Sequence, residues 1–205
     1  MDNIVELIGC YGGDKLHAAS AWTSTNRDIT PEKEKRIPEL LKMLAENGHH
    51  TPFEKSMLHF LLTVDTATHI QLLKHRIGVS VNAESARYKE LKADKFYVPT
   101  DWTDEQLIKD YMAHMENAYD LYHRFTAYVT ASHSRKRAKE SARFVLPYAN
   151  QLVLDVSFNF RSFMHFLQLR KSDDAQKEIH DIADKMLDLV KATDAFPHSL
   201  IAFGY

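Results

Sequence analysis

Between Gln71 and Tyr88 the chain reads Gln-Leu-Leu-Lys-His-Arg-Ile-Gly-Val-Ser-Val-Asn-Ala-Glu-Ser-Ala-Arg-Tyr. Lys74, His75, Arg76 and Arg87 stand there among Gly78, Ser80, Asn82 and Ser85, just where an apolar helical run gives way to a loop. This is the composition of an anion site. Guanidinium and ammonium groups supply charge, and Arg offers a flat two-pronged donor suited to phosphate or to a pyrimidine's paired carbonyls. Serine and backbone donors fix orientation. A basic triplet alone also complements a helix C-terminus or forms a solvated face. The polar run behind the triplet, closing on Arg87-Tyr88, favours a nucleotide grip.

Other stretches carry chemistry less clearly. The adjacent pair His49-His50 beside Thr51 invites a metal, but neighbouring residues rarely converge on one ion and no third ligand is evident, so no metal site is expected. Cys10 is the single cysteine, which excludes an intramolecular disulfide and a cysteine-rich metal cage. Its apolar, strand-like surroundings predict a buried structural thiol. Ser20, Thr23, Ser24 and Thr25 suit either a phosphate-bearing cofactor or turn chemistry. In Ser134-Arg135-Lys136-Arg137-Ala138-Lys139, the helical phase and the following Glu140 favour a solvated helix face over a polyanion patch. On a helix, Arg161, His165 and Gln168 share one side, with Phe163, Phe166 and Leu167 offset from it. Arginines at 161 and 170 on so apolar a segment are costly unless each meets an anion or a carboxylate.

The elements that must position these groups follow from periodicity. Asn3 to Cys10 reads as a strand closed by Tyr11-Gly12-Gly13, and Leu16 to Asn26 begins as a helix. Thr30-Pro31-Glu32 starts a helix that carries Ile37, Leu40, Leu41 and Leu44 to a stop at Asn47-Gly48. In the strand Ser56 to Val64, the residues Leu58, Phe60, Leu62 and Val64 share one face. Thr66 then caps a helix that delivers Gln71, Lys74 and His75 on one side. Tyr88 to Val98 reads as mixed or extended. Thr103-x-x-Gln106 opens a helix well beyond the ordinary 11 to 12 residues, long enough to bridge subunits. Its stripe of Ile108, Tyr111, Met115, Ala118, Tyr122, Phe125 and Val129 faces a core or a partner. Gln151 to Phe158 is a second strand, Asp174 to Lys191 a packing helix, and the tail to Tyr205 is apolar enough to dock.

The whole is expected to be one α+β domain spanning residues 1–205, a mixed β-sheet flanked by long helices. Apolar residues make up 44% and charged residues 26% of the chain, which speaks against disorder and against a membrane protein. No apolar run approaches the roughly 20 residues a spanning helix needs, and Met-Asp-Asn-Ile does not open a signal peptide, so a cytoplasmic protein is expected. A net charge of −2 argues against a coat for nucleic acid.

The grip resembles the signature of the flavin-dependent thymidylate synthases, Arg-His-Arg followed seven or eight residues later by serine, with Asn before it and Gly-Arg-Tyr after. Here eight residues separate Arg76 from Ser85, with Asn82 ahead and Ala86-Arg87-Tyr88 behind. Lys74 replaces the first arginine, Ala86 the glycine, and Ala83 stands where many members carry glutamate, although Glu84 follows. His49-His50-Thr51-Pro52-Phe53-Glu54 resembles the family's His-x-Thr/Ser-Pro-Phe/Leu-Glu-His, with Lys55 in the last place. Ala142-Arg143-Phe144-Val145-Leu146-Pro147 is similar to its Ala-Arg-x-x-Leu-Pro. Leu169-Arg170 through Ala175-Gln176-Lys177-Glu178-Ile179 is similar to its Leu-Arg-x-x-x-x-Ala-Gln-x-Glu-Ile. These stretches follow one another in the family's order from His49 to Ile179.

The resemblance implies reductive methylation of deoxyuridine monophosphate (dUMP) to thymidylate (dTMP). FAD would be the redox and one-carbon carrier, methylenetetrahydrofolate the carbon donor and NADPH the reductant. It implies flavin contacts at His49, Thr51, Lys74, His75, Arg76, Asn159, Arg161 and His165, the last replacing an asparagine common at the flavin edge. The nucleotide would meet Gln71, Lys74, Ser85, Ala86, Arg87, Arg143 and Arg170. Arg170, Arg87 and Ser85 are the candidate catalytic residues: the arginines stabilise charge developing on the pyrimidine, and Ser85 positions the nucleotide, since no base and orienting acid stand beside it to make it a nucleophile. No cysteine attacks the ring in this family. A homotetramer with pockets shared between subunits is also implied. The alternatives are methylation or hydroxymethylation of another pyrimidine nucleotide such as UMP, made live by Lys74 and Ala83, a flavin- or nucleotide-binding homologue without turnover, and a nucleic-acid-binding module at Ser134 to Lys139.

Overall fold

The computed structural model describes residues 2–85 and 95–205. Its sheet has four strands, β1 (Ile4–Tyr11), β2 (Met57–Asp65), β3 (Val79–Ala83) and β4 (Gln151–Phe158), in the order β1-β2-β4-β3. The fold class is α+β, but the sheet is antiparallel rather than mixed. On β3 and β4, Asn159 N donates to Gly78 O at 3.0 Å while Glu84 N donates to Val153 O at 2.8 Å, so the numbering runs in opposite senses. Gly9 faces His59 while Asn3 bonds Asp65, so β1 and β2 are antiparallel as well. The physical reason is legible in β2: Leu58, Phe60, Leu62 and Val64 are fully buried and the residues between them are not. A sheet with one covered face is the antiparallel habit, whereas parallel strands are covered on both. Each of those four side chains contributes about 1.5–3 kcal/mol by leaving water.

The chain divides into two compact units. One comprises Met1–Ile4, Thr63–Leu72 and Asn82–Leu154. Its helices are α4 (Thr66–Leu72), α5 (Glu105–Thr130) and α6 (Arg135–Ala142), and α5 packs on α6 with Tyr122 and Ala142 buried together. Asp65, not Thr66, caps α4: its carboxylate accepts from Thr68 N at 2.8 Å, and the Thr66 hydroxyl donates instead to Asn150 O. A buried carboxylate needs such partners, and Asn3 supplies another at 2.8 Å. α4 ends at Leu72, so Lys74 and His75 lie beyond it and do not continue its face as expected. α5 runs for 26 residues from an Asp104 cap, one residue past the predicted Thr103, because the Asp104 carboxylate accepts from both Gln106 N and Leu107 N. Of the expected extended stretch, Phe96 bridges to Asn150, and 88–94 lie outside the described residues.

The other unit comprises Val5–Leu62, Leu73–Val81 and Asp155–Tyr205. It holds α1 (Asp14–Trp22), α2 (Pro31–Glu34), α3 (Ile37–Glu46), α7 (Phe160–Arg170), α8 (Lys177–Ala192) and α9 (Pro197–Ala202). The single helix expected from Pro31 is two, since Pro38 cannot sit inside a helix and instead falls in the first turn of α3. The hydroxyls of Thr23, Ser24 and Thr25 turn back onto carbonyls of Ala19, Ala21 and Trp22, which is turn chemistry. Cys10 is exposed, contrary to the expected buried thiol, because it shares with Ile4, Glu6 and Ile8 the exposed face of β1. α8 starts at Lys177, three residues later than predicted, and buries Ile179, Ile182, Ala183, Met186 and Val190 as its period requires.

The tail docks through α9. Asp14 accepts from His198 N, Ser199 N and the Ser199 hydroxyl, and His17, fully buried, bonds Ser199 Oγ through Nδ1 and Ser56 Oγ through Nε2, each at 2.9 Å. Phe53, Phe160 and Phe196 ring the imidazole within 5.5 Å. Burial holds its pKa down to about 4, so it is neutral when folded. An unfolded His17 takes a proton below about pH 6.5, so stability is complete above that pH and is lost as pH falls toward the folded value. Denaturant unfolding should therefore show about 2 kcal/mol less stability at pH 5 than at pH 7.5 from this residue, and His17→Gln should flatten that slope.

Candidate active site

α7 builds one wall of a cavity of about 550 Å³ in the unit that contains it. Asn159 caps the helix, its Oδ1 accepting from Ser162 N at 2.8 Å. From that start the helical period places Arg161, His165 and Gln168 on the cavity wall and sends Phe163, Phe166 and Leu167 into the core. His50, Ile77, Phe203 and Tyr205 line it as well. Arg161 Nη1 donates to Glu54 Oε1 at 2.5 Å, so one of the two costly arginines meets a carboxylate, supplied by the 3-10 turn Thr51–Glu54. His49 and Thr51 are exposed, and it is His50 that lines the cavity.

The second arginine is answered differently. At the end of α7, Arg170 Nε donates to His75 Nε2 at 2.9 Å, joining residues 95 positions apart. His75 is only 8% exposed, and its ring meets Phe166 edge-on at 5.0 Å. Burial, then the charges of Arg170 and His165, hold its pKa down to about 4. The imidazole is neutral, and because Nε2 accepts, its proton sits on Nδ1. Burial also lowers the pKa of Arg170. Lys74 and Arg76, on either side of His75, are exposed.

Gly78 lets this loop lie against α7. Its φ is +64°, and a Cβ there would collide with the Asn159 amide and the Ser162 hydroxyl. Gly78→Ala should cost about 1–3 kcal/mol of stability, readable as a lowered denaturant midpoint, whereas Gly48→Ala, whose Cβ meets nothing, should cost less.

The other unit has its own cavity, of about 490 Å³, lined by Thr66, His69, Glu84, Ser85, Arg143 and Tyr148 among others. It brings together Ser85 and Arg143, two of the residues assigned to the nucleotide. Arg143 is exposed at the end of α6, before Pro147 ends the run. Glu84 Oε2 accepts from Val153 N at 3.2 Å, which pins the chain entering Ser85. Gln71 is half-buried on α4. Ala86 and Arg87 lie outside the described residues.

Sequence reasoning missed His50, Ser162, Phe203, Tyr205 and His69 as cavity residues. His50 stood beside a residue already chosen, and Ser162 shares a turn with Arg161. The tail residues gave no signal beyond apolarity.

The sequence profile of the family described as Thymidylate synthase complementing protein matches residues 6–198. The chain belongs to the flavin-dependent thymidylate synthase family. It is 32% identical over 206 residues to the flavin-dependent thymidylate synthase of Thermosipho africanus, covering 91% of this chain and 85% of that one. To the enzyme of the same name from Pseudothermotoga lettingae it is 31% identical, covering 98% and 91%. Among solved structures it is similar to a UMP/dUMP methylase, PolB from Streptomyces cacaoi, bound with 5-Br dUMP, at TM-score 0.85 and 28% identity over 98% of this chain and 94% of that one. The same methylase bound with 5-Br UMP matches at TM-score 0.80. Family membership supports a methyl-transferring flavoprotein of dTMP biosynthesis. Among the described residues, no helix is long and apolar enough to cross a membrane.

Proposed function

We propose that this member of the family methylates dUMP at C5 to give dTMP, with methylenetetrahydrofolate as carbon donor and NADPH as reductant. The observation that carries the reading is the hydrogen bond from Arg170 to His75, which puts the end of one signature in contact with the centre of another. The α7 cavity suits FAD in its donor set: a guanidinium, an amide, a hydroxyl and imidazoles offer partners for ring heteroatoms and phosphate, and Phe203 and Tyr205 offer apolar walls. When bound, the flavin supplies the redox and one-carbon chemistry. Around it, His49, Thr51, Lys74, His75, Arg76, Asn159, Arg161 and His165 bind and orient.

On the nucleotide side, Arg143, Gln71 and Ser85 position the substrate, with Lys74 and Ala86 beside it. Arg170 and Arg87 stabilise the negative charge that develops on the pyrimidine carbonyls. Arg170 is suited to this because its Nε is committed to His75, which fixes the plane of the guanidinium. Assembly as a homotetramer with shared pockets is supported by α5, which exposes Leu107, Met112, Phe125 and Tyr128 on a rod of 26 residues.

A second reading, methylation of UMP, is favoured by Lys74, which lacks the fork of the arginine it replaces, and by the relative described as a UMP/dUMP methylase. An anaerobic reaction of purified protein with FAD, NADPH, methylenetetrahydrofolate and either nucleotide, read by product mass, tests both. Methyl gain on dUMP is expected. Methyl gain on UMP alone would replace the first reading with the second, and an unchanged mass for both nucleotides with flavin bound would overturn both. Arg170→Ala should lower kcat by on the order of 100-fold or more while the protein keeps its flavin.

A further inference from the structure

Three histidines in the described residues have their pKa held down by burial: His17, His75 and His69. The first two are explained by their partners. His17 bonds a serine hydroxyl through each nitrogen, and His75 accepts from Arg170. His69 differs: its Nε2 is buried and finds no hydrogen-bond partner among the described residues. A buried polar atom left unpaired is costly and rare, and points to a partner that the described residues do not supply.

His69 lies on α4 and lines the same cavity of about 490 Å³ as Ser85 and Arg143. Two other polar groups on that wall are already committed, the Thr66 hydroxyl to Asn150 O and Glu84 Oε2 to Val153 N. We propose that His69 is a further substrate contact, its Nε2 hydrogen-bonding an uncharged oxygen of a pyrimidine nucleoside monophosphate, a sugar hydroxyl or a base carbonyl. This rests on the reading that the cavity takes the nucleotide. The division of labour is chemical. Arg143 carries the fixed charge that phosphate requires, whereas a neutral imidazole is matched to a neutral partner.

The test uses the full chain with flavin bound. Binding of dUMP and of UMP is measured by calorimetry for the wild type, His69→Leu and His69→Gln, with flavin content as the control. Loss of one neutral hydrogen bond should weaken nucleotide binding about 5–10-fold in His69→Leu, and His69→Gln should recover most of it with flavin content unchanged. The ¹⁵N resonance of His69 Nε2 in the wild type should shift when dUMP saturates the protein, a readout that needs no variant to fold. Wild-type affinity in His69→Leu, or an Nε2 resonance that does not move, overturns the inference while leaving the proposed function standing. A wild type that holds flavin but binds neither nucleotide overturns the reading of the cavity, and the inference with it.

Discussion

The candidate site depends on one constraint: a buried imidazole must stay neutral so that it can accept from a guanidinium. Arg170 is cationic and His75 is almost entirely out of water, so a proton on both would set two positive charges at hydrogen-bond distance in a poorly solvated place. Keeping His75 neutral turns a repulsion into a bond that fixes the arginine. The consequences reach outward. Phe166 meets the ring edge-on, and the loop must approach α7 closely enough that only glycine is tolerated at 78. The helix that ends at Arg170 begins at an Asn159 cap and carries Arg161, which is held by Glu54. α7 is thus pinned at both ends, and the residues between line a cavity on one face and a core on the other.

The docked tail serves the same end. Asp14 and His17 hold α9, and the residues after it, Phe203 and Tyr205, line the cavity together with charged and polar groups of α7. Phe203 packs edge-on against Phe53 at 4.9 Å, so the turn that supplies Glu54 also supports the tail. Hydrogen bonds and ring contacts thus hold in place the elements that line the cavity.

Much of this was legible in the sequence where one physical signal dominated. The alternation of Leu58, Phe60, Leu62 and Val64 located β2 to within a residue, and the same alternation implied an antiparallel sheet, which the expected mixed sheet overlooked. The centre of the α5 stripe, Met115, Ala118 and Tyr122, and the facing of Arg161, His165 and Gln168 followed from helical period alone, whereas Phe125 of the same stripe is exposed. The failures occurred where two signals competed. Thr66 is a good cap by type, but the preceding Asp65 is charged and better placed. The apolar run before the grip suggested that α4 ran on to His75, yet it stops at Leu72, and Ile70 and Leu73 are exposed. Cys10 looked buried because its neighbours are apolar, and no local pattern reveals which face of a strand stays uncovered. The cavity roles of His50, Phe203 and Tyr205 depend on contacts distant in the chain, which composition does not encode. The composition of residues 71–88 located the grip, and the geometry then showed that its histidine accepts a hydrogen bond from Arg170.

A role for His75 in holding Arg170 is read by comparing His75→Gln with His75→Leu in single-turnover methyl transfer at saturating nucleotide. Glutamine keeps an acceptor where Nε2 lies, and leucine keeps bulk without one. If His75 holds Arg170, His75→Gln retains most of the rate while His75→Leu falls toward the rate of Arg170→Ala, with flavin bound in all three. Equal rates for the glutamine and leucine variants, or loss of flavin from both without a change in the rate of the loaded protein, would contradict it.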